Sequence, residues 1–234
     1  MGDDGQGRGD TRRRGEHGII TLAESLLHIV WPAACPICGR LGKLACVECM
    51  ETLVSSAGFF CMICGAPVRC PEHPAGPTCM AATEYFGACR DVVRVMKYEN
   101  GKSLARSMGV IMAGRLPRPE VDFLVPVPLH SGSEREYNQA EVIASGMSSV
   151  WGIPVKVMLS WREDIGRQAI RSSKGGRDLP EGAMSAGGVI AVGSVVLLID
   201  DVFTTGSTLA AASGALREAG ILVEGAAVWS RGGR

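Results

Sequence analysis

The chain has 234 residues, 46% of them apolar, which is enough to bury one core and carry a smaller module. Lys plus Arg and Asp plus Glu number 24 each, so no global positive field favours nucleic acid and any such contact must be local. Residues 1–18, rich in Gly, Arg and Asp, read as a disordered tail and not as a signal peptide. Ile19 to Val30 is apolar but carries Glu24 and His28, and it falls short of the ~20 residues that span a bilayer. Leu22, Leu26, Leu27 and Val30 mark a short amphipathic helix there, so no membrane insertion is expected and a cytoplasmic protein is.

All nine cysteines lie between Cys35 and Cys89. They come as Cys35-Pro-Ile-Cys38-Gly, Cys46-Val-Glu-Cys49 and Cys61-Met-Ile-Cys64-Gly, followed by Cys70, Cys79 and Cys89. A Cys-x-x-Cys-Gly knuckle curls the chain so that two thiolates meet one metal, and two knuckles complete a tetrahedral site. Cys35, Cys38, Cys46 and Cys49 are therefore expected to close around a structural Zn²⁺. A thioredoxin-like pair needs no second dithiol beside it, a disulfide framework does not suit a cytoplasmic chain, and an iron–sulfur cluster is the remaining alternative. Cys61 and Cys64 need two further ligands from Cys70, His73 and Cys79. The expected set takes Cys70 and Cys79, with His73 of Cys70-Pro-Glu-His73 as the alternative. Four protein ligands leave no open position, so neither site is expected to be catalytic. Cys89 falls in an apolar, helical stretch and reads as a buried small residue.

Arg90 to Met112 carries apolar residues at Val92, Val93, Met96, Leu104, Met108 and Ile111, broken by Tyr98-Glu99-Asn100-Gly101, which predicts two helices around a turn. Gly101-Lys102-Ser103 matches the end of a P-loop, but Met96 stands where the first glycine belongs and no apolar strand leads into it. Val121 to Val127 is a buried strand that must finish at Pro126-Val127-Pro128-Leu129-His130, since proline cannot donate to a ladder. Arg135, Asn138 and Gln139 precede an Ala-rich helix, and Ile153 to Leu159 reads as another strand. Arg162 to Met184 contains Arg162, Arg167, Gln168, Arg171, Lys174 and Arg177, and is expected to form a mobile flap whose cations meet a pyrophosphate or a nucleic acid backbone.

Val195 to Thr208 carries the most chemistry. Val195 to Ile199 is apolar without alternation, as in a parallel strand covered on both faces. Asp200 and Asp201 are expected where that strand ends, free to turn together toward a vicinal diol or to hold Mg²⁺ through its waters. Thr204, Thr205, Gly206, Ser207 and Thr208 then open a helix, where unpaired amides and the helix dipole favour a phosphate. Leu209, Ala212, Leu216 and Ala219 lie on roughly one face of that helix, Gly220 ends it, and Ile221 to Trp229 resumes the sheet. A Walker B strand or a receiver-domain pocket is the alternative for a strand ending in two acids.

This block resembles the phosphoribosyl pyrophosphate motif of the type I phosphoribosyltransferases. In that family two acids engage the ribose 2′- and 3′-hydroxyls and the next loop cradles the 5′-phosphate. The resemblance gives the first role to Asp200 and Asp201, also as the catalytic acids, and the second to Thr204, Thr205, Gly206, Ser207 and Thr208. The cysteine ribbon, the Tyr85-x-Gly87-x-x-Arg90 to Lys97-Tyr98 stretch, the Pro-Val-Pro-Leu turn, Tyr137-Asn138-Gln139-Ala140 and the Asp-Asp-Val-x-Thr-Thr-Gly block, in that order, resemble the ComF family over nearly the whole chain after the tail. Ala82 stands where that pattern has its last ribbon cysteine, and Glu136 where it has a glycine.

The resemblance implies an α/β architecture, a parallel-sheet type I phosphoribosyltransferase fold at 83–234 behind an amphipathic helix and zinc ribbon at 19–82. It implies phosphoribosyl pyrophosphate and Mg²⁺ as ligands, adds Lys97 and Arg135 to the binding residues, and links the chain to bacterial DNA uptake during natural transformation. The rival expectation is a non-catalytic protein that touches single-stranded DNA or competence proteins and uses the pocket as a sensor.

Overall fold

The computed structural model describes residues 33–54, 58–99, 101–130, 133, 135–162, 179–180, 182–188 and 190–232. The tail, the helix expected at Ile19 to Val30 and most of the basic flap lie outside the described residues. Helix α1 spans Val47–Leu53, strand β1 Gly58–Cys61, β2 Thr78–Glu84, α2 Gly87–Tyr98 and α3 Lys102–Arg115. They are followed by β3 Phe123–Pro126, α4 Gln139–Trp151, β4 Leu159–Trp161, β5 Met184–Ala186, β6 Val195–Phe203, α5 Ser207–Glu218 and β7 Leu222–Arg231.

Five strands form one sheet in the order β1-β2-β7-β6-β3. The β2/β7, β7/β6 and β6/β3 pairs are parallel and β1 is an antiparallel edge, so this is a mixed α/β fold with a mostly parallel sheet. Helices α1 to α4 pack on one face around Val92, Val93, Met96, Met108, Met112 and Trp229. On the other face α5 and the small β4–β5 sheet pack around Phe60, Met62, Leu198, Phe203 and Leu216. A sheet covered on both sides needs strands apolar on both sides, and Val196 to Ile199 are all buried.

The two helices expected around Tyr98 to Gly101 are α2 and α3, with every apolar position named for them buried. Helix α3 crosses α4 at a glycine pair so close that a Cβ on Gly109 would stand 2.0 Å from the Ile143 carbonyl oxygen, and one on Gly146 2.3 Å from that of Arg106. Asn138 caps α4, its Oδ1 accepting from the Ala140 N–H at 3.1 Å while its Nδ2 donates to the Val127 carbonyl at 2.9 Å. One side chain thereby ties the loop after β3 to the start of the helix.

The elements themselves depart from expectation at three places. The strand expected over Ile153 to Leu159 is a single bridge, Val155 beside Leu124, followed by β4, because Pro154 and the turn to a second sheet interrupt it. The break expected between residues 82 and 83 falls inside β2, whose pairing with β7 makes the end of the cysteine module a strand of the main sheet. Finally, β6 does not stop before Asp200 but continues to Phe203, held by Val202 opposite Ser230 and Phe203 opposite Arg231.

Candidate functional site

Two groups of side chains between residues 35 and 73 could each hold a metal ion. Cys35, Cys38, Cys46 and Cys49 converge as their spacing predicts, with all ligand atoms within 4.8 Å of one another. The Cys38 and Cys46 sulfurs are 3.8 Å apart, matching the about 3.8 Å edge of a tetrahedron built on Zn–S bonds. Burial alone would raise the Cys35 thiol, but the backbone N–H groups of Cys38, Cys46 and Ile37 outweigh it and bring it down to about 6. That favours the thiolate a metal needs.

The second group is Cys61, Cys64, Cys70 and His73. Cys64 and Cys70 sulfurs are 3.5 Å apart, and His73 Nδ1 lies 3.7 Å from Cys61 Sγ and 3.6 Å from Cys70 Sγ. A tetrahedral zinc with mixed nitrogen and sulfur ligands has an edge of about 3.6 Å, so the donor set fits zinc here as in the first group. Cys79, the ligand expected in His73's place, is elsewhere. It sits inside β2 between Phe60 and Ala226, fully buried, and burial pushes its thiol up. Strand alternation explains the exchange: Cys79 points into the core below the sheet, while the Pro-rich loop after Cys70 brings His73 back over the knuckle.

The second site lies at the carboxyl edge of the sheet, where the chain leaves β3, β6 and β7 together. Within β6 adjacent side chains alternate, so Asp200 and Asp201 do not turn together as expected. Asp201 is buried and faces α2, its Oδ2 2.8 Å from Lys97 Nζ. Asp200 Oδ1 turns back to accept the Asp201 N–H at 2.8 Å. Burial, and then the neighbouring Asp201 carboxylate, push Asp200 up from the usual 3.8 to about 7, against the pull of Lys97 and Arg135.

Around this pair, Tyr137 Oη donates to the Met96 carbonyl at 2.6 Å. Burial and the Asp201 charge raise the phenol to about 12, so it remains a donor. Arg135 donates to Oε1 of the buried Gln139 at 3.1 Å and stands 5.7 Å from the Tyr98 ring centroid. Tyr137 and Gln139 had no assigned role in the sequence, although the Tyr137-Asn138-Gln139-Ala140 motif that holds them was visible. A groove of about 360 Å³ opens beside Lys97, with Tyr85, Arg90, Arg94, Tyr98 and Arg135 on its walls and Asp91 the acid among them.

The segment after β6 is a turn at the start of a helix, as its sequence predicts. Thr204 and Thr205 are exposed, Gly206 is the N-cap of α5 at φ 83°, and Ser207 and Thr208 begin the helix. The Thr205 and Ser207 hydroxyl oxygens are 3.0 Å apart, and the Ser207 N–H points to Thr205 Oγ1 at 3.4 Å. A Cβ at 206 would meet the Met62 carbonyl oxygen at 2.8 Å, so only glycine suits both the space and the left-handed backbone. Lys97, Asp201 and Arg135 thus gather on one side of the strand end, the hydroxyl turn follows from it, and Asp200 stands slightly apart.

No family model matches the chain. It is 27% identical over 184 residues to the competence protein ComFC of Streptococcus pneumoniae, covering 77% of this chain and 78% of that protein. Among solved structures it is similar to UMP synthase from Leishmania donovani at a TM-score of 0.34 and 23% identity, covering 60% of this chain but only 24% of that one. It is also similar to adenine phosphoribosyltransferase from Leishmania donovani at a TM-score of 0.36 and 17% identity, covering 76% of this chain and 66% of that one. Among the described residues no helix is long and apolar enough to cross a membrane. With two cysteine-rich groups that fit a zinc ribbon, a mostly parallel α/β sheet behind them and likeness to ComFC over 77% of its length, the chain is ComF-like.

Proposed function

We propose that the carboxyl edge of the sheet binds phosphoribosyl pyrophosphate with Mg²⁺, transfers its phosphoribosyl group, and serves natural competence. The carrying observation is that two acids at the end of a central parallel strand run directly into a hydroxyl-rich turn that opens α5. Ligands of open α/β sheets bind beyond such strand ends, and a helix start takes a phosphate. On this reading the amides and hydroxyls of Thr204 to Thr208 hold the 5′-phosphate. Asp201 takes the ribose hydroxyls, with Asp200 beside it, and Lys97 and Arg135 meet the pyrophosphate. Mg²⁺, held through its waters beside Asp200, would neutralise the leaving pyrophosphate. The protein's own part is to hold the sugar fixed while positive charge grows at its C1. Likeness to a competence protein supports the physiological setting.

Calorimetric titration with phosphoribosyl pyrophosphate, with and without Mg²⁺, tests this. Saturable binding that needs Mg²⁺ and weakens at least roughly tenfold in Asp201→Asn, the loss of a charged hydrogen bond, is the expected result. No binding by the wild type refutes the reading. Turnover is then measured as pyrophosphate release with ammonia and free bases as acceptors. A second reading, non-catalytic contact with single-stranded DNA, is favoured by the groove, where Arg90, Arg94 and Arg135 accompany Tyr85 and Tyr98. It predicts binding of a short oligonucleotide that falls steeply with salt and needs no Mg²⁺.

A further inference from the structure

Met62, Gly65, Phe203, Gly206 and Arg231 join the second cysteine knuckle to the hydroxyl turn. Met62 lies between two ligands of that group, Cys61 and Cys64, and its carbonyl is the atom against which Gly206 is pressed. The knuckle is closed by the Gly65 N–H bonding to the Cys61 carbonyl at 2.8 Å and is tied to the chain beyond by Met62 N–H to the Pro77 carbonyl at 3.0 Å. Phe203, the last residue of β6, sets its ring edge-on to Phe60 at 4.6 Å between centroids and fills the space beside Gly65, where a Cβ would come within 3.1 Å of it. Arg231, opposite Phe203 in β7, donates to the Gly65 carbonyl at 2.6 Å and stands 4.4 Å from the Phe60 ring centroid. The turn that begins at Thr204 is therefore backed by the main chain of a metal knuckle. The first cysteine group has no such role: Ile37, Leu44 and Ala45 beside it pack on the opposite face of the sheet.

We propose that the Cys61/Cys64/Cys70/His73 group positions the phosphate turn, so that metal held there sets the affinity of residues 204–208 for a phosphate ester. This rests on the pocket reading above for its ligand, but not for its mechanics. Three thiols and an imidazole within 4.8 Å hold one arrangement only when a cation joins them. Without it the knuckle loosens, the Met62 carbonyl and Gly65 shift, and the turn loses the surface that keeps its amides aligned. Phe203 and Arg231 are the positioning residues, since both lie outside residues 204–208 and contact the knuckle.

The test compares wild type, His73→Ala and Arg231→Met by zinc content, by hydrogen exchange of the Gly65 and Ala210 amides, which bond to the Cys61 and Gly206 carbonyls, and by calorimetric titration with ribose 5-phosphate. His73→Ala should hold one zinc fewer. Exchange at Gly65 and Ala210 should accelerate by roughly tenfold or more, as for a locally opened segment, while α4 amides stay protected, and ribose 5-phosphate should bind more weakly by a similar factor. Arg231→Met leaves all four ligands in place, so it should keep its zinc and still show faster exchange at Gly65 and Ala210, which decides the matter if His73→Ala does not fold. Unchanged exchange in a folded His73→Ala that has lost its zinc, or in Arg231→Met, overturns the inference. If wild type binds no ribose 5-phosphate, the pocket reading fails and the exchange result alone decides the coupling.

Discussion

Asp200→Asn isolates a titration that the fold imposes on one carboxyl. Burial and the Asp201 carboxylate raise Asp200 from 3.8 to about 7. Between these values the unfolded chain ionises at this position while the folded chain keeps its proton. Stability from this group is therefore full below the unfolded value, falls as pH rises toward 7, and is level above it. The whole span of about three pH units corresponds to roughly 4 kcal/mol. Between pH 6 and pH 8, where metal ligands remain competent, the same two values leave roughly 1–2 kcal/mol. Asparagine has nearly the same shape, keeps an oxygen for the Asp201 N–H, and does not titrate. Urea unfolding of zinc-loaded wild type and variant at both pH values, without ligand, gives the difference directly, because every other titration cancels. Wild type should lose that much more than Asp200→Asn on going to pH 8. Equal losses would show that Asp200 ionises normally and that its desolvation is not what the fold suggests. Binding runs the other way: a ligand that needs the Asp200 carboxylate should gain affinity as pH rises through about 7.

Lys97→Met leaves Asp201 without its partner at 2.8 Å in a site where the two side chains are only 18% and 11% exposed. It should cost roughly 2–4 kcal/mol, less than a fully enclosed pair, and adding Asp201→Asn should return most of it in a double-mutant cycle read by urea unfolding. Gly109→Ala places a methyl 2.0 Å from a main-chain oxygen that cannot rotate away, so α3 and α4 must separate at a cost of roughly 3 kcal/mol or more, visible as a lower thermal midpoint. Cys79→Ala should weaken packing yet keep two zinc equivalents by metal analysis, whereas His73→Ala should drop to one. Loss of a metal in Cys79→Ala would reverse the ligand assignment.

Local pattern carried most of the fold because each signal was decided within a few residues. Val195 to Ile199 announced a strand buried on both faces, Tyr98 to Gly101 a break between helices, and Gly220 a helix end, where the Ile221 N–H now bonds back to the Leu216 carbonyl at 3.0 Å. The first cysteine group was legible for the same reason, two short pairs 11 residues apart from Cys35 to Cys46. The misses are contacts between distant segments. Cys79 and His73 are equally plausible ligands by spacing, and only the pairing of β2 with β7 turns one into the core. Asp200 and Asp201 read as loop residues because aspartate is a poor strand former, but Ser230 and Arg231 of β7 extend the ladder past them. Pro126 did end β3, since the rule for proline depends on its own missing N–H and on nothing remote.

Alternation along β6 gives the two acids unequal surroundings, and on the proposed reading that inequality sets the order of events at the site. Asp201 shares its side of the strand with Lys97 and with the Met96–Tyr137 hydrogen bond. A ribose diol can reach that carboxylate only by competing with the ammonium, which is then free to meet the anion arriving on the same molecule. The ammonium keeps an anionic partner throughout, while the carboxylate trades its ion pair for two hydroxyl hydrogen bonds, so neither charge is left unsatisfied. Asp200 lies on the other side, close enough to the buried Cys79 to raise its thiol further, and near neutral pH it is only partly ionised. A dication brought in with pyrophosphate favours its ionised form. On the proposed reading Asp201 recognises the sugar, while cation and leaving group complete the ionisation of Asp200, which makes proton release on binding near pH 7 the signature of a complete ligand over ribose 5-phosphate alone.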